Sequence, residues 1–140
     1  MLTITRTFEF CAGHRLYRPD WTPDKNKQIF GLCSNEAGHG HNYTLEVSVT
    51  GPIDPETGMI MNLRELKETV RDRVISEVDH KNLNIDVAWM RDVIPTTEQF
   101  ADRIWIRLEE VLKSSSPHVR LSSIVLHETS NNKVCKTATL

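Results

Sequence analysis

The 140-residue chain contains no apolar run approaching the roughly 18–20 residues needed to span a bilayer, which excludes a membrane-spanning helix. It has only three cysteines, an odd number without regular spacing, so no disulfide framework is expected. It also lacks an excess of basic charge. The formal net charge is −2, which offers no field suited to nucleic acid or an anionic membrane surface. The start, Met1-Leu-Thr-Ile-Thr-Arg-Thr-Phe8, has no charged region followed by an apolar stretch, so a secretory leader is not expected and the chain reads as soluble and cytoplasmic. There is no internal repeat, linker or low-complexity tract, and no glycine signature for a dinucleotide. What remains is one domain, residues 1–140, large enough for a real core and too small for two.

Apolar periodicity gives the elements. Leu2, Ile4, Phe8 and Phe10 alternate with Thr3, Thr5, Thr7 and Glu9, which predicts a strand over 2–11 ending near Ala12-Gly13-His14. Residues 18–38 carry Pro19, Pro23, Gly31 and Gly38 with no sustained period and read as a long loop, a usual place for function. Tyr43 to Thr50 alternates again, 51–58 is turn chemistry, and Met59-Ile-Met61 reads as a short returning strand. Asn62 with Glu65 predicts a capped helix whose stripe is Leu63, Leu66, Val70, Val74 and Val78. Thr96 with Gln99 caps a second, burying Phe100, Ile104, Trp105, Leu108, Val111 and Leu112 and ending at 114–117. Val119 to Thr129 returns to strand, and Lys133 to Thr137 pairs back across Ser130-Asn131-Asn132. The class is α+β, with both helices on one face of an antiparallel sheet of about four strands. Such a sheet has two open edges, which joining sheets between subunits would remove, so assembly is expected.

Seven positions carry the chemistry. His39 and His41, two apart, point to one face of an extended segment, and His14 from a neighbouring strand would complete a three-nitrogen site. Three imidazoles suit zinc and leave a fourth tetrahedral position open, the arrangement of catalytic sites. Gly38 and Gly40 would let the backbone bend both rings onto a small ion. Cys33 is a fourth ligand, an inert thiol, or a base near the metal; the residues alone leave these open. Cys11 and Cys135 lie in strand patterns and are most simply small apolar fillers. Asp79 beside His80 could set that ring's tautomer, or could merely end the first helix. Glu128 is a carboxylate that follows an apolar strand face; it either sits at the sheet rim or needs a partner, such as a planar ligand with adjacent N–H groups.

These pieces fall into six motifs: Phe10-x-Ala12-x-His14, Phe30-Gly-x-Cys33-x5-His39-Gly-His41-Asn-Tyr43, Asp54-Pro-x-Thr-Gly58-Met-x-Met-Asn-Leu63, Asp79-His-Lys-Asn-Leu83, Thr96-Thr-Glu98 and Glu128-Thr-x-Asn-Asn132. In this order, over nearly the whole chain, they resemble the 6-pyruvoyltetrahydropterin synthase family. The resemblance implies the tunnelling fold: a four-stranded antiparallel sheet with two helices on one face, ordered ββααββ. Three subunits would close a twelve-stranded barrel, and two barrels would stack into a homohexamer. It implies zinc on His14, His39 and His41, Cys33 as general base, and Asp79 and His80 as catalytic partners from a neighbouring subunit. Glu128 would anchor the pterin, with Thr97 and Glu98 lining its pocket. The implied substrate is 7,8-dihydroneopterin triphosphate, and the implied chemistry is triphosphate elimination with internal redox, so no nicotinamide or flavin enters. Arg15 is a candidate for holding the triphosphate, by adjacency to His14. A sister branch, 6-carboxytetrahydropterin synthase of queuosine biosynthesis, keeps three residues between the cysteine and the His-x-His pair. Here five intervene, as in the pyruvoyl enzyme. An aldolase-type activity on dihydroneopterin is a further alternative. A non-enzymatic zinc-binding oligomer would need none of Cys33, Asp79, His80 or Glu128, so their joint presence counts against it.

Overall fold

Strands β1 (Thr3–His14) and β2 (His39–Thr50) pair antiparallel along their whole length in the computed structural model, which describes residues 1–139. Because side chains alternate across a strand, one face collects Phe8, Phe10 and Ala12 from β1 and Tyr43, Leu45, Val47 and Val49 from β2, all buried. β4 (Arg120–His127) joins β2 on its far side, and β5 (Lys133–Thr137) returns beside β4. Between the pairs Ser48–Ser123 and Val49–Leu121 the register slips, leaving Ser122 as an extra residue. That bulge turns both Leu121 and Ile124 inward although they are three apart.

The helices cover this apolar face. α2 (Leu63–Val70) runs without a break into a wide π turn, Arg71–Ile75, and a last short piece, α3 (Ser76–Val78). This arm packs on β1, while α4 (Thr97–Ser115) packs on β4 and β5. Leu66, Val70, Val74 and Val78 are fully buried, as are Phe100, Ile104 and Leu108. The other face, with Thr3, Thr5, Thr7 and Glu9 across from Thr50, Ser48, Glu46 and Thr44, is covered by none of the described helices. None of the described helices is long and apolar enough to cross a membrane.

Several expectations need correction. The sheet is five-stranded and mixed, ordered β3-β1-β2-β4-β5, because Lys81–Asn82 (β3) runs parallel to β1 at Ala12 and Gly13. Two residues carry no readable period, so the four antiparallel strands were legible and β3 was not. Met59–Met61 is no strand: Ile60 and Met61 bury their side chains, while the Met59 carbonyl accepts from Asp54 N–H within the turn (2.9 Å). Asn62 caps α2 by accepting from Arg64 N–H, but Glu65 does not close the box; it accepts from Ser116 Oγ, and Leu63 is exposed. The long loop holds a helix, α1 (Pro23–Phe30), then one tight turn, Gly31–Ser34. Its start was in the sequence, since Thr22 caps the Lys25 N–H and Pro23 presets the first helical φ. It escaped because its buried residue is Asn26, which bonds the Arg18 backbone on both sides, rather than an apolar stripe.

Candidate active site

His14 and His39 are direct cross-strand partners at the end of the β1–β2 hairpin that the 15–38 connection closes, and His41 lies opposite Ala12, two residues inward. All three project to the helix-covered face. One nitrogen from each lies within 4.8 Å of the other two. His14 Nδ1 contacts the Pro95 carbonyl at 2.8 Å. A carbonyl only accepts, so that nitrogen carries the proton and Nε2 keeps its lone pair. His14 Nε2 stands 3.1 Å from His39 Nε2. Two nitrogens bonded at 2.0–2.1 Å to one tetrahedral ion would lie about 3.3 Å apart, so this spacing suits a shared metal. His41 Nε2 is buried with no hydrogen-bond partner, its nearest carboxylate oxygen, on Glu128, being 3.9 Å away. An orphaned buried nitrogen aimed at two others is what a metal ligand set looks like without its ion. Of the two glycines, only Gly38 is conformationally required. Its φ is 73°, and a Cβ there would lie 2.9 Å from the His14 carbonyl oxygen.

Burial first, then the neighbouring rings, hold His14 below the ordinary imidazole range, although the Pro95 contact opposes them; burial and His41 do the same to His39. A histidine depressed in the fold binds its proton more readily when unfolded. The linked stability is therefore complete above the unfolded value, about 6.5, and is lost as pH falls below it. Metal-stripped protein should accordingly show a falling thermal midpoint between pH 7 and pH 5, and His14→Gln should flatten that slope. An unchanged slope in the variant would mean other groups set it.

The floor of the site is aromatic. Phe10 stacks on Tyr43 at 5.1 Å, Phe100 meets both edge-on, and Tyr43 lies 5.8 Å from the His41 ring. Burial, and secondarily the Glu128 charge, push the Tyr43 hydroxyl above its usual range, and its oxygen has no partner. Glu128 follows the end of β4, with its N–H bound to the Asn132 carbonyl across the tight return to β5. Its carboxylate accepts from Thr97 Oγ1 at 2.5 Å, which ties it to the first turn of α4. Thr97 and Glu128 thus meet beside His41, whereas Glu98 is exposed and makes no bond to them.

Cys33 sits in the tight turn after α1, where its carbonyl accepts from Leu16 N–H and Arg15 Nε donates to the next carbonyl, Ser34. Its sulfur is not among the mutually close ligand atoms of the histidine centre. Arg15 stacks its guanidinium on Tyr17 at 3.8 Å and so braces this turn. Asp79 and His80 end the helical arm elsewhere. His80 has φ 61°, left-handed for a non-glycine residue, and its N–H donates to the Cys11 carbonyl at 2.6 Å. Asp79 Oδ1 accepts from Cys11 N–H at 3.0 Å and lies 3.0 Å from His80 Nδ1. The Cys11 N–H bond, more than any other influence, holds the Asp79 carboxyl below its usual range. Cys11 is not a core filler. It alternates with buried Phe10 and Ala12, so its side chain faces away from the core and the histidine centre, half-buried. Cys135, likewise outward, is exposed.

An α+β sheet carrying three imidazoles at a hairpin's end, with a helix-anchored carboxylate beside them, defines a tunnelling-fold protein built to hold a metal ion. The solved structure of Caenorhabditis elegans 6-pyruvoyl tetrahydropterin synthase shares this fold with a TM-score of 0.89 and 34% identity, over 99% of this chain and 96% of that one. The sequence profile of 6-pyruvoyl tetrahydropterin synthase matches residues 3–138, and the chain belongs to that family. Among curated relatives, the human 6-pyruvoyl tetrahydrobiopterin synthase is 44% identical over 94% of this chain and 88% of its own length. A 6-carboxy-5,6,7,8-tetrahydropterin synthase from Aquifex aeolicus is 29% identical over 93% and 94%.

Proposed function

We propose that the chain is a zinc-dependent carbon–oxygen lyase converting 7,8-dihydroneopterin triphosphate to 6-pyruvoyltetrahydropterin with release of triphosphate. The observation that carries this is a metal-ready imidazole trio with a carboxylate, Glu128, 3.9 Å from His41 and already oriented by Thr97. Zinc bound by His14, His39 and His41 would supply Lewis acidity to the hydroxyl-bearing side-chain carbons. The chain's own residues do the rest. Glu128 accepts the 2-amino and ring N–H of the pterin in parallel, fixing the ring against the Tyr43–Phe10 floor. Glu98, exposed on the next position of α4, would line the edge of the pterin site. Cys33, as thiolate, takes a proton from a side-chain carbon, and the Asp79–His80 pair passes protons between side chain and ring.

Asp79 and His80 contact β1 through Cys11, on the opposite face from the histidine centre, and the His80 side chain is 78% exposed. Both facts support a pair that serves a neighbouring subunit's site. The uncovered sheet face and open edges support closure of a barrel from three chains and a hexamer of two such barrels.

Purified protein with zinc and dihydroneopterin triphosphate under anaerobic conditions should release triphosphate and retain the three-carbon side chain, as read by mass spectrometry. Five residues between Cys33 and His39, with the 44% and 29% relatives ranked accordingly, favour this outcome. A dominant carboxy product with acetaldehyde would move the chain to the queuosine branch, and a cleaved side chain without triphosphate loss would indicate aldolase chemistry. Glu128→Gln, which replaces an acceptor oxygen with a donor, should weaken pterin binding at least tenfold, in line with the roughly 1.5–3 kcal/mol of a charge-assisted hydrogen bond. Its zinc content should stay at the wild-type value; loss of zinc would misplace Glu128.

A further inference from the structure

We propose that Cys11, Asp79 and His80 form a second divalent-metal site, selective for a thiophilic ion such as zinc or cadmium, through which excess metal inhibits the enzyme. The inhibition rests on the role given above to Asp79 and His80; the binding does not.

The ligands are preassembled. A sulfur from Cys11, a carboxylate oxygen from Asp79 and an imidazole nitrogen from His80 lie within 4.8 Å of one another. Three contacts fix that arrangement: Cys11 N–H to Asp79 Oδ1 at 3.0 Å, His80 N–H to the Cys11 carbonyl at 2.6 Å, and His80 Nδ1 beside Asp79 Oδ1 at 3.0 Å. A tetrahedral ion with bonds of about 2.3 Å to sulfur and 2.0–2.2 Å to nitrogen and oxygen would hold these atoms roughly 3.3–3.7 Å apart. No pair therefore needs to close by much more than about an ångström. His80, 78% exposed at its side chain, is free to supply that movement by turning its ring. Its left-handed backbone is what brings it back over β1 instead of continuing the helical arm.

The site is open where a fourth ligand would stand. It borders a concavity lined by Cys11, His41, Asn42, Lys81, Asn82 and Asp86, broad enough for water or a further oxygen. Ligand chemistry sets the ion. One thiolate with imidazole and carboxylate discriminates against magnesium and calcium, which prefer all-oxygen shells. The histidine centre has no sulfur ligand and faces the other side of β1, so the two sites differ in both chemistry and position. An ion on Asp79 and His80 would occupy the lone pairs that proton transfer requires.

Zinc-loaded enzyme, with one ion per chain on the histidines, titrated with cadmium should take up a second equivalent per chain. A thiolate-to-metal absorption band should grow with it, and turnover should fall at least tenfold. Cys11→Ser and Cys11→Ala keep the backbone N–H and C=O that position Asp79 and His80; both should lose the second equivalent and the band, and cadmium should no longer slow them. Cys33→Ala should keep the band. No second equivalent in the wild type, or one that survives Cys11→Ala, would overturn the site. A Cys11-dependent ion that leaves turnover untouched would uphold the site, overturn the inhibition, and remove Asp79 and His80 from the reaction.

Discussion

Mixed assemblies of Cys33→Ala and His80→Ala chains should regain activity that neither variant has alone. Each substitution removes one proton-handling group, so each pure variant should turn over at least about 100-fold more slowly, within the usual range for general acid–base groups. In a random one-to-one mixture, a site built from Cys33 of one chain and His80 of the next finds both intact about one time in four. The expectation comes from geometry within one chain. His80 is tied to the Cys11 carbonyl at the outer edge of β1, close to a Cys11 side chain that points away from the His14 face, while Cys33 lies in the turn that leads into His39. The assay is turnover of the co-refolded mixture, with subunit exchange proven by mass-tagged chains. Full exchange without recovered turnover would place Cys33 and His80 in one chain's site.

Phe100→Ala should be the most damaging single substitution outside the chemistry. Its side chain is fully buried, with ring centroids 5.9 Å from Phe10, 5.4 Å from Tyr43 and 6.2 Å from Trp89. Emptying that position should cost about 3–5 kcal/mol, from lost transfer energy and an unfilled cavity. For a domain of this length that is a drop in thermal midpoint on the order of 10–20 °C, compared at equal chain concentration because assembly also contributes. Tyr43 loses its edge-on support next to the His41 ring, so metal should also dissociate faster than from Phe100→Leu. A midpoint within a few degrees of wild type would show that α4 closes over the gap.

The long strands and both main helices were legible because each has a repeating apolar side, as in Leu45, Val47 and Val49 or Ile104 and Leu108. The histidine centre was legible for a related reason: an i, i+2 pair must share a strand face, and the hairpin aligns His14 with His39. What periodicity could not report were features fixed by polar or distant partners. Asn26 anchors α1 through backbone bonds, and β3 exists only because His80 and Leu83 reach Cys11 and Gly13 from far along the chain. Met59–Met61 misled because buried side chains do not require a paired backbone. The link from Thr97 to Glu128 spans 31 positions and has no local signature, although both residues stood in motifs. Cys11 misled in the opposite sense: it continues the polar side of Thr3, Thr5, Thr7 and Glu9, and its residue type outweighed its place in the alternation.

The π turn at Arg71–Ile75 lets a helix carry one residue more than its buried side needs. A regular helix advances 100° per residue, so steps of four, as from Leu66 to Val70, Val74 and Val78, drift about 40° each time. The wider turn absorbs that drift and leaves all four fully buried. Deleting one of the exposed residues Arg71 or Asp72 should yield a straighter, better-bonded helix. The spacing from Leu66 would then be four, three and four, the ordinary stripe of an α-helix, so Val74, Val78 and His80 would keep their directions. An inserted residue has no second wide turn to absorb it; every later position would rotate by about 100°, and His80 would be carried off Cys11. Chains shortened here by one residue should therefore fold and turn over, and chains lengthened by one should fold without turning over, while the turn at 51–58 should accept insertions freely.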